Sequence, residues 1–303
     1  MRRSVRTAVL GTLLLAALAP LPAQAPAAAA QPAPAKHFLW KATSGGHTAW
    51  LLGSVHVASE AMYPLAPAIE AAFAASPTLV VEADIDAPDN TRMQAQIMEK
   101  GLYPPEQSLK GNIPPPLYAK VEKNLPSLGI PVSVADRMRP WLLALTVTAL
   151  RMQQLGLQAE YGIDLHFLKQ ARGRKEILEL ESADFQIQLL SGFPAELQRL
   201  FLEQTLDDPL STKVEVDKMI RCWRTGDAAG IEDLIFSERR TSPELEPVFV
   251  KLFDERNGPM ADKIAGWLRA GKDCLVIVGA GHLVGEGGIL RRLSDHGIAV
   301  VQH

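Results

Sequence analysis

The sequence is poor in cysteine and carries no excess of basic residues. Its 303 residues include two Cys, 31 Lys and Arg, and 34 Asp and Glu. Two Cys are too few for a disulfide framework, and 47% hydrophobic residues are too many for a disordered or collagen-like chain. Nucleic-acid-binding proteins show a basic stripe, so the charge balance predicts no nucleic-acid partner. The length suits one large α/β domain or two small ones.

An apolar run near the N-terminus is too short to span a membrane. Three Arg precede the run Ala8–Ala19, and mostly small residues follow up to Ala30. This order is typical of a secretory signal peptide over residues 1–30, cleaved after Ala25 or nearer to Ala30; an uncleaved anchor is the alternative. We therefore expect an exported protein, periplasmic or secreted, with no stable membrane span after signal removal. Residues 31–36 then form a Pro/Ala linker.

The chain expected to remain after cleavage is mildly acidic and reaches an oxidising compartment. Removal of residues 1–30 takes away three Arg and no acid, which leaves 28 basic and 34 acidic residues. No polybasic patch for a membrane surface remains. Cys222 and Cys274 can form a disulfide in such a compartment, and two buried thiols are an equally good interpretation.

Short apolar runs alternate with helical patterns along the rest of the chain, without an internal repeat. The alternation predicts an α/β fold with a central, mostly parallel sheet flanked by helices. Strands are predicted at Trp50–Leu52, Thr78–Val81, Pro131–Ala135, Glu176–Leu180, Cys274–Val278 and Ile298–Val301. Helices are predicted at Leu65–Ala75, 90–100, Tyr118–Asn124, Trp141–Leu155, Asp164–Ala171 and Ile289–His296. The mainly helical middle segment, 185–268, is expected to cap one end of the sheet.

Residues that can carry chemistry follow the predicted strands where each strand ends. They are Gly53 and His56, Glu82 and Asp84, Asp136, Glu181, and Gly279 and His282. Ligands of open α/β sheets bind beyond the carboxyl ends of the strands, so these residues are expected to share one edge. Each Gly-x-x-His places a Gly where the chain leaves a strand, which permits a positive φ or a close backbone approach. Two imidazoles and a carboxylate can hold a divalent cation that acidifies bound water.

Each of these residues also has a structural interpretation. His56 can be a hydrogen-bonded structural residue, and Glu82 and Glu181 can be helix caps or ion-pair partners. Arg256 stands at the end of a predicted helical run, where it can be a solvated cap. In a site, the same Arg can hold an anionic intermediate.

Two common ligand-binding and catalytic motifs are missing. The turn Gly279-Ala280-Gly281 can cradle a phosphate, but it lacks the Gly-x-Gly-x-x-Gly spacing of a dinucleotide site. Ser54 stands in Gly-Ser-Val-His and not in a Gly-x-Ser-x-Gly turn. A serine hydrolase is therefore disfavoured.

Seven short motifs, in order along the chain, resemble those of the TraB/GumN family, whose animal relatives include the Tiki proteins. They are Trp50–Val57, Val81–Asp84, Arg139–Leu143, Tyr161–Asp164, Leu180-Glu181 with Gln186, Arg256-Asn257 with Met260-Ala261, and Val278–Gly285. The last is the most specific. The first reads Gly-Ser-Val-His where many relatives have Thr and Ile in the middle.

The resemblance implies a fold similar to that of the erythromycin-esterase and ChaN-like group. In that fold two α/β halves of a central sheet bring both Gly-x-x-His motifs together, here in a single domain over residues 37–303. Tiki proteins are described as divalent-metal-dependent proteases that favour Mn or Co. By this resemblance the expected cofactor of the present chain is a divalent metal, Mn or Co, with Zn as the alternative. The resemblance makes His56, His282 and Glu82 the expected metal ligands. Glu82, Glu181 and Arg256 are the expected catalytic residues.

The resulting hypothesis is an exported, metal-dependent hydrolase that cleaves a peptide or amide bond of a peptide or small-molecule substrate. Glu82 or Glu181 would take a proton from the metal-activated water, and Arg256 would stabilise the oxyanion. Two alternatives use the same residues: a metal-independent, esterase-type hydrolase with His as the base, and a non-catalytic exported protein that binds a peptide or glycan.

Overall fold

A computed structural model describes residues 36–87, 91–206 and 209–303. The signal peptide predicted over residues 1–30, and the linker up to residue 35, lie outside these ranges. Among the helices inside them, none has both the length and the hydrophobicity that crossing a bilayer requires. The described residues fall into two compact units: a sheet unit (36–86, 158–182 and 217–303) and a helical unit (87, 91–157, 183–206 and 209–216). The single domain expected over residues 37–303 stays a prediction.

Within the described ranges, six strands form one mixed sheet in the sheet unit. They are β1 (Leu39–Ser44), β2 (His47–Ser54), β3 (Thr78–Val81), β4 (Glu176–Glu179), β5 (Cys274–Gly279) and β6 (Ala299–Gln302). Their order across the sheet is β4-β3-β5-β2-β1-β6. The pairs β4-β3, β3-β5 and β5-β2 are parallel, whereas β1 is antiparallel to both β2 and β6. The predicted α/β fold with a mostly parallel sheet is confirmed.

The two innermost parallel strands are apolar along their whole length. Every residue of β3 and β5 is buried. A strand covered on both faces needs no alternation of polar and apolar residues, which is why these runs read as continuous hydrophobic segments. Because β5 lies between β3 and β2, the carboxyl ends of all three strands are neighbours at one edge of the sheet.

One predicted strand is wrong, and one strand is missing from the prediction. Val132–Ala135, predicted within the strand Pro131–Ala135, is a short helix of the helical unit that follows Pro131. Its β-branched residues favour a strand locally, but no neighbouring strand pairs with them in the described structure. Asp136 therefore does not lie at the sheet edge; its carboxylate accepts the backbone N–H of Lys110 at 2.8 Å. The missing strand is β1, which joins β2 through Gly45 and Gly46, both with positive φ.

Helices make up most of the remaining described chain. The sheet unit contains α1 (Pro67–Ala75), α7 (Ile163–Ala171), α11 (Ala228–Thr241), α12 (Glu246–Phe249), α13 (Glu255–Arg269), α14 (Ala280–Leu283) and α15 (Ile289–Asp295). The helical unit contains α2 (Thr91–Gly101), α3 (Leu109–Asn112), α4 (Pro115–Leu128), α5 (Val132–Ala135), α6 (Pro140–Gln154), α8 (Ala183–Ser191) and α9 (Ala195–Thr205). Helix α10 (Pro209–Arg224) has residues in both units.

The two cysteines are buried free thiols. Cys274 begins β5, and the Cys222 Sγ lies 3.6 Å from Asp227 Oδ2. Burial raises the pKa of the Cys274 thiol to about 12, so this thiol stays protonated. The sequence left a disulfide and two buried thiols as alternatives for Cys222 and Cys274. The structure contains two buried thiols.

Candidate functional site

Three neighbouring strands end at the candidate site. Ser54 of β2 pairs with Gly279 of β5, and Val81 of β3 pairs with Ile277 on the other side of β5. The segments that follow these ends carry His56, Glu82 and His282. Parallel strands end at a common edge, so the sheet brings together residues that are far apart in the sequence.

Gly279 is the point around which these side chains meet. Its backbone N–H donates to Glu82 Oε1 at 2.7 Å. A Cβ at this position would lie 3.2 Å from His56 Nε2, 3.3 Å from Glu82 Oε1 and 3.6 Å from His282 Cδ2. The φ of Gly279 is −49°, which any residue can adopt. Of the two expected roles of this Gly, the structure has the close approach and not the positive φ.

His56 is held by a carboxylate that the site prediction did not include. Its Nδ1 lies 2.8 Å from Asp164 Oδ2, and its side chain is 17% exposed. Asp164 is in the first turn of α7, and the neighbouring Ile163 N–H donates to Val55 O at 3.1 Å. Burial lowers the pKa of His56, but the charges of Asp164 and Glu82 and the hydrogen bond to Asp164 outweigh it and raise the pKa to about 9.

His282 is fully buried and is held by an amide. Its Nδ1 lies 2.6 Å from Asn257 Oδ1. Its Nε2 has no hydrogen-bond partner among the described residues and lies 3.8 Å from Glu82 Oε1. Burial, together with the positive charges of Arg256 and His56, lowers the pKa of His282 to about 3 against the effect of Glu82. The ring is therefore neutral at pH 7.

Arg256 lies between the buried carboxylate of Glu82 and the partly buried carboxylate of Glu181. Its Nη2 donates to Glu82 Oε2 at 2.7 Å and to Glu181 Oε2 at 2.7 Å, and its Nε donates to Glu181 Oε1 at 2.8 Å. Its Nη1 donates to Leu252 O at 3.0 Å. The side chain is 2% exposed, so the solvated-cap interpretation of Arg256 is wrong. Glu82 and Glu181 are its ion-pair partners.

Glu82 is ionised in this environment. Burial alone would raise its pKa, but nearby positive charge from His282, Arg256 and His56 and the Gly279 N–H lower it to about 2. Since His282 is neutral at pH 7, Arg256 and His56 are the charges that act there at that pH.

A wider π-turn, Val250–Asp254, directly precedes α13, the helix that carries Arg256 and Asn257. Buried residues recur in adjacent pairs every four positions: Val248 and Phe249, Leu252 and Phe253, Arg256 and Asn257, Met260 and Ala261, and Ile264 and Ala265. Four residues of a straight α-helix overshoot one turn by about 40°, so a strict four-residue pattern drifts around the helix. A turn with more residues reduces this drift and helps to keep Arg256 and Asn257 on the buried face.

The structure brings together five residues singled out in the sequence: His56, Glu82, Glu181, Arg256 and His282. All belong to the sheet unit. Two other residues predicted for the same edge have different partners. Asp84 receives two hydrogen bonds from Arg172, at 2.6 and 2.8 Å, and Asp136 belongs to the helical unit.

The prediction left out Asp164 and Asn257, the partners of the two His. Both stand inside motifs that carried the resemblance, Tyr161–Asp164 and Arg256-Asn257. The motifs therefore marked both residues in the sequence. The residues around them, however, do not indicate which His each one contacts.

The donor set suits a divalent cation, although the described ranges contain no group of three or more His, Cys, Asp or Glu arranged to hold one. Two imidazole nitrogens and a carboxylate are ligands that Zn, Mn and Co accept. The buried Nε2 of His282 can act as such a ligand and has no hydrogen-bond partner among the described residues. A carboxylate oxygen has two lone pairs, so the bond from Gly279 to Glu82 Oε1 does not exclude coordination. The metal-ligand roles of His56, His282 and Glu82 stay predictions.

A family model matches nearly all of the described chain. The model of the TraB/PrgY/gumN family aligns with residues 38–302. The chain belongs to the TraB/PrgY/gumN family. The resemblance drawn from the seven motifs is thereby confirmed.

This TraB/PrgY/gumN chain is also similar to two curated proteins. It is 27% identical over 273 residues to the uncharacterized protein YbaP of Escherichia coli (strain K12), an alignment that covers 84% of this chain and 96% of YbaP. The YbaP protein of Shigella flexneri gives the same values. No solved structure matches the chain significantly.

Proposed function

We propose that this TraB/PrgY/gumN protein is an exported metal-dependent hydrolase in which His56, His282 and Glu82 hold the cation. The observation that carries the proposal is the meeting of His56 Nε2, Glu82 Oε1 and the His282 ring around Gly279. Each His uses Nδ1 for an oxygen acceptor, Asp164 or Asn257. Metal-ligating His are commonly oriented in this way, with the second nitrogen left for the metal.

The environment of His282 Nε2 supports a cation. This neutral nitrogen is buried 3.8 Å from the ionised Glu82 Oε1, and no donor among the described residues bonds to it. A buried polar atom without a partner is costly, and an electron pair facing a carboxylate is repulsive. A divalent cation bound there would supply an acidified water and would polarise a substrate carbonyl.

The charges of the cluster also suit a divalent ion. Glu82, Glu181 and Asp164 contribute three negative charges, and Arg256 contributes one positive charge. A divalent cation would bring the cluster to zero once His56, protonated in the metal-free protein, has lost its proton to bind the cation. Buried charges require such compensation.

The carboxylates and Arg256 have separate roles in this proposal. Glu82 serves as a ligand of the cation, so the role of general base falls to Glu181, the second carboxylate that Arg256 holds. Arg256 donates four hydrogen bonds to protein acceptors, so its role is to hold Glu82 and Glu181. A guanidinium has five N–H donors, so the oxyanion role expected from the sequence would fall to the second N–H of Nη1, which none of these four bonds uses.

The substrate would approach from the side of His56. The His56 side chain is 17% exposed, whereas those of His282 and Glu82 are 1% and 6% exposed. The choice of a peptide or amide bond rests on the family resemblance, and export rests on the signal-like pattern of residues 1–30.

Elemental analysis of the purified protein, combined with a peptide-cleavage screen before and after chelation, tests the proposal. We expect a bound divalent metal, cleavage that stops on chelation, and loss of both in His56→Ala. His296→Ala is the matched control, because His296 pairs with Asp262 at the surface and should change neither property. Cleavage by His56→Ala at the parent rate would contradict the proposal.

A metal-independent hydrolase is the second candidate, and the His56–Asp164 pair is the observation that favours it. A His oriented by a carboxylate is a common general base. However, a pKa of about 9 keeps His56 protonated at pH 7, which weakens it as a base there. Full activity after exhaustive chelation would support this candidate, and tight peptide or glycan binding without a product would support a non-catalytic protein.

A further inference from the structure

The side-chain amide of Asn257 lies between His282 and the loop that follows it. Asn257 is 1% exposed in α13. Its Oδ1 lies 2.6 Å from His282 Nδ1, and its Nδ2 donates to Gly287 O at 2.9 Å. The amide thus contacts a site His on one side and a backbone carbonyl on the other.

The backbone carbonyl decides which way the amide faces. The oxygen of Gly287 can only accept a hydrogen bond, so the NH₂ group of Asn257 must face it. The amide oxygen then faces His282 Nδ1, and an oxygen at 2.6 Å requires a hydrogen on that nitrogen. A second hydrogen on Nε2 would have no acceptor within hydrogen-bond distance among the described residues, because Glu82 Oε1 lies 3.8 Å away, so Nε2 has a lone pair.

We propose that Asn257 is a positioning residue that fixes His282 as the Nδ1–H tautomer and so presents the Nε2 lone pair toward Glu82. The opposite tautomer would place a lone pair of Nδ1 against the Asn257 oxygen at 2.6 Å. Its Nε2–H would face Glu82 Oε1 at 3.8 Å, which is too long for a hydrogen bond. The claim that a cation binds this lone pair rests on the proposed function. The assignment of the tautomer does not, because it follows from the hydrogen bonds of Asn257.

A neutral partner for His282 fits the charge of the cluster. Asp164, the partner of His56, already adds a third carboxylate to Glu82 and Glu181. A second Asp at position 257 would leave one negative charge unbalanced after a divalent cation binds. An amide fixes the tautomer equally well and adds no charge.

NMR of the metal-free protein labelled with ¹⁵N-His tests the tautomer directly. We expect Nδ1 of His282 to carry the hydrogen and Nε2 to lack it, with the resonances assigned by their loss in His282→Gln. Asn257→Leu, which is similar in size but makes no hydrogen bond, should remove this pattern. If Asn257 only fills space, Asn257→Leu should leave the pattern unchanged.

Mn²⁺ titration by calorimetry gives the second readout. Asn257→Leu should weaken Mn²⁺ binding about 10- to 100-fold, as loss of a partner of a metal-ligating His commonly does. Asn112→Leu, at an exposed position of α3, should leave binding unchanged.

Two results would overturn the inference: a hydrogen on Nε2 of His282 in the parent protein, or unchanged NMR pattern and Mn²⁺ affinity in Asn257→Leu. If Asn257→Leu does not fold, as judged by near-UV circular dichroism, the spectrum of the parent protein alone decides. A parent protein that shows the Nδ1–H pattern but binds no metal would refute the proposed function and leave the tautomer assignment intact.

Discussion

Asp164 Oδ2 lies 2.8 Å from His56 Nδ1, although 108 positions separate the two residues in the chain. The contact forms where α7 begins beside the loop that leaves β2, because Ile163 N–H bonds to Val55 O. It fixes the ring of the more exposed of the two site His and stabilises its positive charge. Several measurable properties depend on this and the neighbouring contacts.

Asp164→Asn should lower the pKa of His56 in the metal-free protein. The Asn oxygen still accepts the Nδ1 hydrogen, so the ring keeps its place while the negative charge is lost. Titration of the His ring protons by NMR should show His56 moving well below its parent pKa of about 9. Asp262→Asn, next to the surface His296, is the control and should leave His56 unaffected. An unchanged pKa of His56 in Asp164→Asn would show that the charge of Asp164 does not raise it.

The metal-free protein should lose stability as the pH rises above neutrality. The folded-state pKa of His56 is about 9, above its ordinary 6.5. Its contribution to the free energy of unfolding is therefore complete below pH 6.5 and is lost as the pH rises from 6.5 through 9. Urea denaturation at a series of pH values measures this slope. His56→Gln should flatten it, and an equal slope in parent and variant would contradict the prediction.

The same protein should also lose stability in acid. The pKa of Glu82 falls from 4.5 to about 2 on folding, so its contribution is present above pH 4.5 and is lost as the pH falls through 2. The loss should be on the order of 3 kcal/mol. His282, with a pKa lowered from 6.5 to about 3, acts in the same direction between those values. In urea denaturation Glu82→Gln should reduce the acid dependence, and a full parent slope would refute this role.

Gly279→Ala should weaken metal binding without unfolding the protein. The new methyl group would lie 3.2 Å from His56 Nε2 and 3.3 Å from Glu82 Oε1, inside the space that the ligand atoms share. The backbone tolerates Ala at φ −49°, so the stability cost should not exceed about 1–3 kcal/mol. Calorimetric titration with Mn²⁺ and thermal unfolding measure the two effects. Gly266→Ala is the control, because no atom lies within 4 Å of a Cβ at that position. Parent-like Mn²⁺ affinity in Gly279→Ala would show that the cation does not bind in the space next to Gly279.

Arg256→Leu should destabilise the protein strongly. The substitution leaves the buried Glu82 and the partly buried Glu181 without their common partner, and loss of one member of a buried ion pair typically costs about 3–5 kcal/mol. Arg240→Leu removes a surface pair with Asp233 and should cost less than about 1 kcal/mol. Chemical denaturation compares the two variants. Equal losses of stability would show that the ion pairs of Arg256 contribute no more to the free energy of unfolding than a surface ion pair.

The order of strands and helices was largely readable from local pattern. Thr78–Val81 is a strand with the predicted bounds, and the predicted strand Cys274–Val278 differs from β5 only by Gly279. Such segments depend on residues close in sequence, where apolar periodicity acts. The pattern failed at Pro131–Ala135, because a β-branched segment becomes a strand only when another strand pairs with it. It also missed β1, which lacks a continuous apolar run and depends on pairing with β2 and β6.

By itself, the sequence determined the family, the alternation of strands and helices, and five residues that meet at one sheet edge: His56, Glu82, Glu181, Arg256 and His282. Strand ends and Gly-x-x-His spacing are local features, and a parallel sheet aligns such ends. Only the tertiary structure decided that Asp164 and Asn257 hold the two His, that Arg256 is buried between two carboxylates, and that Gly279 is required for space. These contacts join residues between 25 and 197 positions apart, so they depend on how helices pack against the sheet edge and on hydrogen bonds that every buried polar group needs.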